Sequence, residues 1–347
     1  MAVMVLTASL TAPAVYAGND NRRGTAGATE LLINPWARSS SWGGINTGCA
    51  RGLDAFFSNI AGLSFVEKHE FAYTYTLLNG GRNGLNSGGS INALGLALRL
   101  GDRGVLGAYV MAMGVGDLPV TTVESPEAGN NGTFSPTLMN LNVAFSYSFT
   151  NSIHGGANIK VISESTDNVG ATGVAIDAGI QYQTGENDEL KFGISLKNIG
   201  PALSYSGTGM AFTMVNSAGN SMTVEFRNAD MELPTCLNIG ASYDFLFDQW
   251  DQRLTIAGNF TSNAFLRDNF GLGFEYSLLK RFEARAAYVY QTDIFDSDDR
   301  TTANTGLCAG ASVLFPFKEN TSLSIDYSYR SAAKLKGTHS IGATFKF

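Results

Sequence analysis

Leu141-Asn142-Val143-Ala144-Phe145-Ser146-Tyr147-Ser148-Phe149 puts a bulky apolar or aromatic side chain at every odd position and a small or polar one at every even position. Successive side chains of a β-strand point to opposite faces, so a period of two describes a strand with one apolar and one polar face. The same alternation recurs on both sides of this stretch. Phe71, Tyr73, Tyr75 and Leu77 alternate with Ala72, Thr74 and Thr76, and Leu94, Leu96, Leu98 and Leu100 with Gly95, Ala97 and Arg99. Further on, Phe270, Leu272, Phe274 and Tyr276 stand opposite Gly271, Gly273, Glu275 and Ser277, and Leu323, Ile325, Tyr327 and Tyr329 opposite Ser324, Asp326, Ser328 and Arg330. A wall with lipid on one side and a polar lumen on the other needs this division.

Continued along the chain, the alternation predicts strands starting near Glu70, Ile91, Val105, Leu138, Ile153, Ala171, Leu190, Leu233, Arg253, Asn269, Phe282, Thr305, Thr321 and Thr338. That is about 14 strands, an even number, as a single-chain barrel with both ends on one side requires. The connections sort by parity. Those after even-numbered strands are short, such as 101–104, 150–152 and 279–281; most after odd-numbered strands are long, notably 116–136, 199–232 and 291–304. Short turns at one mouth and long loops at the other are the construction of an outer-membrane barrel, and a soluble sandwich has no reason to sort its loops this way. The fold predicted is all-β: a transmembrane antiparallel up-and-down β-barrel over residues 68–347.

Composition agrees. Charged residues are only 15% of the 347, against about a quarter in soluble domains. Mean hydropathy is nevertheless +0.01, well below that of a bundle of membrane helices. A net charge of −7 argues against nucleic acid as a partner. Residues 1–17, an apolar run ending in Val15-Tyr16-Ala17, read as a signal peptide, too short to span a bilayer as a helix. The chain closes on an amphipathic strand ending in Phe345-Lys346-Phe347, which resembles the signal read by the barrel-assembly machinery; an edge strand that happens to end in Phe is the plainer alternative.

Residues 18–67 do not alternate and hold two of the three tryptophans. So much apolar surface exposed to water is costly, and the lumen is the nearest place to bury it. The expected arrangement is an N-terminal plug, with Trp36, Arg38, Trp42, Arg51, Asp54 and Asn59 among its residues. Arg38, Arg51 and Asp54 are able to pair with inward wall charges, expected at Arg99, Lys160, Asp177, Glu275, Arg285 and Asp326, and also at Lys197, Asp244, Glu283 and Arg330. The alternative is that these charges are solvated in a watery pore.

Catalytic and metal readings find little. His69, His154 and His339 share no spacing with a Ser or Asp partner, and GxSxG, HExxH and P-loop patterns are missing. The acidic run 293–299 lacks the spacing of a calcium loop. Cys49, Cys236 and Cys308 have no metal-site spacing and read as structural. Neither an enzyme nor a cofactor is expected.

Ala37-Arg38, Trp42-Gly43-Gly44 and Phe57-Ser58-Asn59-Ile60-Ala61-Gly62-Leu63, with Asn198-Ile199-Gly200-Pro201 and Glu232-Leu233-Pro234, give the chain a resemblance to the PorV/PorQ family of Bacteroidetes outer-membrane proteins, relatives of the FadL-type transporters. The family usually has Pro where Ile60 stands and an aromatic where Ser58 stands. The resemblance implies a fourteen-stranded barrel with an N-terminal plug in the outer membrane of a Gram-negative, Bacteroidetes-like cell. It also implies a non-catalytic role in type IX secretion, with a secretion pore, surface lipoproteins or cargo signal domains as partners beside outer-membrane lipid. Within the long 199–232 connection, Met210–Val215 and Met222–Arg227 suggest a projecting hairpin on which a cargo strand could pair, or which only caps the mouth. The other expectation, from the FadL-type relatives, is transport of hydrophobic small molecules, for which Gly155-Gly156 offers a break in a wall strand.

Overall fold

In the computed structural model, fourteen antiparallel strands close into one barrel in sequence order. It describes residues 22–347 apart from 79–88, 128–130, 248–250, 297, 299, 319–320 and 334, so the expected signal peptide lies outside the described residues. The strands are β1 His69–Leu77, β2 Ser90–Leu100, β3 Gly104–Gly114, β4 Thr137–Ser148, β5 Ile153–Thr166, β6 Val169–Thr184, β7 Leu190–Ile199, β8 Cys236–Phe247, β9 Gln252–Asn263, β10 Asn269–Leu278, β11 Phe282–Gln291, β12 Asn304–Lys318, β13 Thr321–Ala332 and β14 Thr338–Lys346. The ring is closed by β1 on β14, from Glu70 opposite Lys346 to Leu77 opposite His339. Closure leaves no unpaired sheet edge.

The eighth strand begins at Cys236, three residues later than the alternation suggests. Pro234 has no N–H to give to a ladder, and Leu233 instead turns in to bury itself beside Leu203. The parity of the connections is incomplete, because those after β5, β9 (264–268) and β13 (333–337) are short as well. β5 and β6 are joined by Asp167 and Asn168 alone, with Asp167 in the left-handed region at φ 46°, because this hairpin is longer than its neighbours. The long connections carry small sheets of their own: Leu118–Pro119 with Thr133–Phe134, and a ribbon of Ala211–Val215 with Ser221–Glu225.

Side chains divide as the alternation requires. On β4, Met139, Leu141, Val143, Phe145 and Tyr147 face outward and are exposed, while Asn142, Ala144 and Ser146 face inward and are buried. The same outward set runs around the ring, so the exterior is an apolar band that lipid, not water, would solvate. No helix among the described residues is long and apolar enough to cross a membrane.

The expected break at Gly155-Gly156 is not there. β5 pairs without a register shift to β4 and to β6 through both glycines. Gly156 serves close approach: a β-carbon there would sit 2.9 Å from the Ile60 carbonyl oxygen of the N-terminal segment. The irregularities fall elsewhere, between Ile176 and Ala178 of β6 opposite β7, and near the two ends of β12.

Residues 22–66 run through the inside of this wall, from the long-loop mouth to the short-turn mouth. At the first, Gly27 donates its N–H to Glu232 O at 2.9 Å; at the second, β1 begins. The path is made of short pieces: 3-10 turns at Thr29–Leu32, Asn46–Gly48, Gly52–Asp54 and Ile60–Phe65, and helices α1 Ala37–Ser41 and α2 Ala55–Ser58. Trp36, Leu53, Phe56, Ile60 and Leu63 form one apolar core with Ile91, Ala93, Ala97, Val105, Tyr109 and Met111 of the wall. Trp42 and Ile45 form a second with Ala257, Ala287 and Cys308. At roughly 25 cal/mol per Å2 of apolar area, each such large side chain contributes about 2 kcal/mol.

Candidate functional site: the lumen and its inner segment

Small residues lie in register around the inside of the wall, and the segment touches them one after another. Gly95 of β2 stands opposite Ala72 of β1, Gly156 of β5 opposite Gly179 of β6, and Gly193 of β7 opposite Gly240 of β8. A β-carbon at Gly95 would be 2.8 Å from the Trp36 ring, one at Gly273 2.8 Å from Trp42, and one at Gly193 would run into the Thr47 carbonyl. Only glycine lets backbone and large rings come this close. The abundance of glycine is thus partly a groove cut for residues 36–63.

Asn59 holds the segment to the wall at mid-path. Its Nδ2 donates to Thr47 O at 3.1 Å, Ile180 O at 3.0 Å and Ile194 O at 3.4 Å, while its Oδ1 accepts from Ala61 N–H at 3.2 Å. Glu70 of β1 anchors the later turn, accepting from the Leu53 N–H at 2.8 Å. Arg99 does the same for the exit, donating to Val66 O at 2.7 Å and Ser64 O at 2.8 Å.

The inward charges form local networks. Lys160 pairs with Asp177 at 2.8 Å and donates to Asn198 Oδ1 at 2.6 Å. Asn198, at φ 60°, also gives its own N–H to Asp177 and its Nδ2 to the Pro234 carbonyl at 3.0 Å. The Asn198–Pro201 and Glu232–Pro234 stretches therefore meet, one ending β7 and the other leading into β8. Lys191 pairs with Asp244. Arg285 bonds Glu275 at 2.6 Å and also Glu283, and Glu283 holds Arg38 of the segment at 2.7 Å. Asp326 accepts from Ser312 and Ser324. Lys197 donates to the Phe57 carbonyl at 2.9 Å and lies over the Phe57 ring.

Of the two other plug charges expected to pair with the wall, Arg51 stacks on Phe65 of its own segment, 4.4 Å from the ring centroid. Asp54, half-buried on the vestibule at the short-turn mouth, has its carboxyl pushed up to about 7 by burial, Arg38 pulling the other way. Burial likewise pushes the Cys49 thiol up to about 11, which keeps it protonated and unreactive. All three cysteines are free. Phe345 and Phe347 stack at 5.3 Å on the outer face, and the Phe347 backbone exchanges hydrogen bonds with His69.

Sequence spacing concealed one contact. The fold brings Ser64 to His154, whose Nδ1 lies 3.0 Å from both Ser64 Oγ and Ser148 Oγ. The other ring nitrogen meets the Asn151 carbonyl at 3.3 Å, where a hydrolytic triad would need a carboxylate. In the acidic loop, Asp293 is held by Arg267. Among the described residues, two of the spaces left inside the barrel border the segment. One, of about 470 Å3, opens at the short-turn mouth among Arg38, Asp54, Glu70, Arg253 and Glu283 and is strongly polar. The other, of about 10 Å3, is enclosed by Ile33, Phe56, Phe57, Tyr109 and Met111 with Glu30, Asn140, Lys160 and Lys197. Glu30, Tyr109, Glu164 and Tyr205, which the sequence did not single out, belong to or border this second region.

No known protein family matches the sequence, and no curated protein matches it. Solved structures share its fold. The Ralstonia pickettii toluene transporter TbuX superposes with a TM-score of 0.57 at 15% identity, over 90% of this chain and 98% of that one. The Pseudomonas putida toluene transporter TodX gives 0.54 at 12%, over 86% and 94%. A Pseudomonas aeruginosa FadL homologue gives 0.53 at 13%, over 90% and 96%. Two of the three are toluene transporters, and the likeness extends over nearly the full length of each.

Proposed function

We propose that the chain is an outer-membrane barrel that passes small hydrophobic molecules, with residues 29–66 as a plug in its lumen. The long loops face the cell exterior, and the short turns and both ends of the barrel face the periplasm of a Gram-negative cell. The observation that carries this reading is the fold, a closed fourteen-stranded barrel that superposes on two toluene transporters over most of the chain. Between plug and wall, Ile33, Phe56, Phe57, Tyr109 and Met111 meet Glu30, Asn140, Lys160 and Lys197 around a space of about 10 Å3, room for about one water. The fold shared with two toluene transporters supports the same class of cargo. The polar vestibule at the short-turn mouth would then be where cargo meets water.

The test is uptake of radiolabelled toluene, and separately of a long-chain fatty acid, by cells producing the protein, compared with cells carrying an empty vector. Faster uptake of either supports the reading; rates equal to the vector control for both overturn it.

A second reading, type IX secretion in the manner of the PorV/PorQ family, draws support from the outer ribbon. Phe212, Met214, Met222 and Val224 line one face of it, and Phe212 stacks on Phe226 at 4.5 Å. An apolar face raised above the mouth is suited to a protein partner. Deleting residues 204–228 should remove co-purifying secretion-pore, lipoprotein or cargo partners while the barrel stays folded; unchanged co-purification would sink this alternative.

A further inference from the structure

At the long-loop mouth the N-terminal segment, the wall and the outer loop are tied together around two acidic side chains. Glu30, on the Thr29–Leu32 turn, is 2% exposed, and neither of its carboxylate oxygens meets a hydrogen-bond donor. Glu164 of β5 is also buried and accepts from the hydroxyl of Tyr205, which belongs to the 200–235 loop. That loop bridges to the wall at Gly170 and Ser206 and to itself at Leu203 and Met231, and the segment bridges to it at Ala26 and Glu232. Arg22 adds an ion pair with Glu232 at 2.5 Å.

The bases nearby are committed elsewhere. Of the two lysines bordering the same small cavity, Lys160 is held by Asp177 and Asn198, and Lys197 by the Phe57 carbonyl and ring. The remaining groups around Glu30 are neutral donors or acceptors: Tyr109 on β3, Asn140 on β4 with its own unpartnered Oδ1, and Tyr205. Two ionised carboxylates cannot share a site of this kind without a counter-charge or a proton.

We infer that the proton on Glu30, buried where the segment, β5 and the 200–235 loop meet, is a pH-sensitive latch that holds the start of the plug and that loop over the long-loop mouth. Burial, and then the Glu164 charge, push the Glu30 carboxyl up to about 7. With a folded-state affinity raised above the ordinary carboxylate range, the proton stabilises the closed arrangement fully at acid pH. That contribution is lost as pH rises from about 4.5 through about 7. Above that, repulsion between the two carboxylates releases residues 26–33 while the rest of the plug stays on the wall glycines. The latch concerns access to the lumen and holds for whatever cargo the barrel carries, so its test reads the backbone and not transport.

The experiment is hydrogen–deuterium exchange on the full chain folded in detergent, followed in peptides covering residues 26–33 and corrected for the intrinsic pH dependence of exchange. Protection should fall roughly tenfold or more between about pH 5.5 and about pH 8, with peptides from β5 and β6 unchanged. Glu30→Gln, whose amide does not titrate, should keep these residues protected at both pH values, and Glu164→Gln should do the same if the first variant folds poorly. A native protein with no pH dependence, or a variant with the native slope, overturns the latch. Restoration of protection at about pH 8 by millimolar calcium, reversed by chelation, would also overturn it by giving the site to a cation.

Discussion

Asn59 and Asp54 sit five residues apart and show what single side chains do inside this barrel. Asn59 is 1% exposed and spends its amide on three carbonyls from the segment and two different strands. Its importance was visible in the sequence only as part of a family-like block, because a hydrogen bond spanning 135 residues leaves no local pattern. Asp54 has a titration that folding itself creates. Its carboxyl is raised by burial to about 7, so the folded protein binds this proton more tightly than the unfolded chain. Native stability from this group is therefore complete in acid and declines between about pH 4 and about pH 7. Asp54→Asn should flatten that part of the profile and raise the thermal midpoint at pH 8 relative to the native protein, measured by thermal unfolding in detergent. A midpoint that drops at every pH would mean the carboxylate is needed as Arg38's partner.

Among the elements, the wall strands and the inner segment differ in what specifies them. Each strand carries its own alternation, and its place follows from pairing with its sequence neighbours. The segment has short helices of four and five residues and 3-10 turns, far too short to form alone, and it takes shape against the wall. Gly193 is a sharp test of that dependence. Gly193→Leu should leave the β7 pairings intact, because an inward side chain does not touch the ladder. It should force the Asn46–Gly48 turn away from the wall, since a β-carbon collides with the Thr47 carbonyl. Overpacking of this kind costs about 1–3 kcal/mol. The expected result is a folded barrel with a lower thermal midpoint and new protease cleavage between residues 36 and 66; native-like resistance would mean the wall, not the segment, absorbs the strain.

For the molecule as a whole, the inner segment supplies the core that the wall alone lacks. A fourteen-stranded ring lined largely with Gly, Ala, Ser and Thr encloses volume that residues 29–66 fill with large apolar groups packed against Ile91, Tyr109 and Met111 of the wall. If the segment is a plug, deleting residues 29–66 should turn a low-conductance protein into a steadily open pore in planar bilayers, with the heat-modifiable gel shift of a folded barrel retained. A folded deletion with unchanged conductance would show that the loops close the lumen without it.

The fourteen-strand wall was legible in the sequence because an up-and-down barrel is built from local rules. Period-two alternation marks each strand, connection length marks each mouth, and pairing partners are sequence neighbours. The Gly155-Gly156 pair was misjudged for the opposite reason, since the Ile60 carbonyl approaches from a distant part of the chain; the strand start near Leu233 was misjudged although Pro234, beside it, already marks a residue with no donor for the ladder. The burial of Trp36 and Trp42 was expected from their apolar surface. What only the tertiary structure decided was which wall glycine each segment residue meets, which acid each base takes, and that Glu30 and Glu164 are both buried where the segment, β5 and the Tyr205 loop come together. These contacts join residues far apart in sequence and depend on register and closure, which no single stretch of the chain encodes.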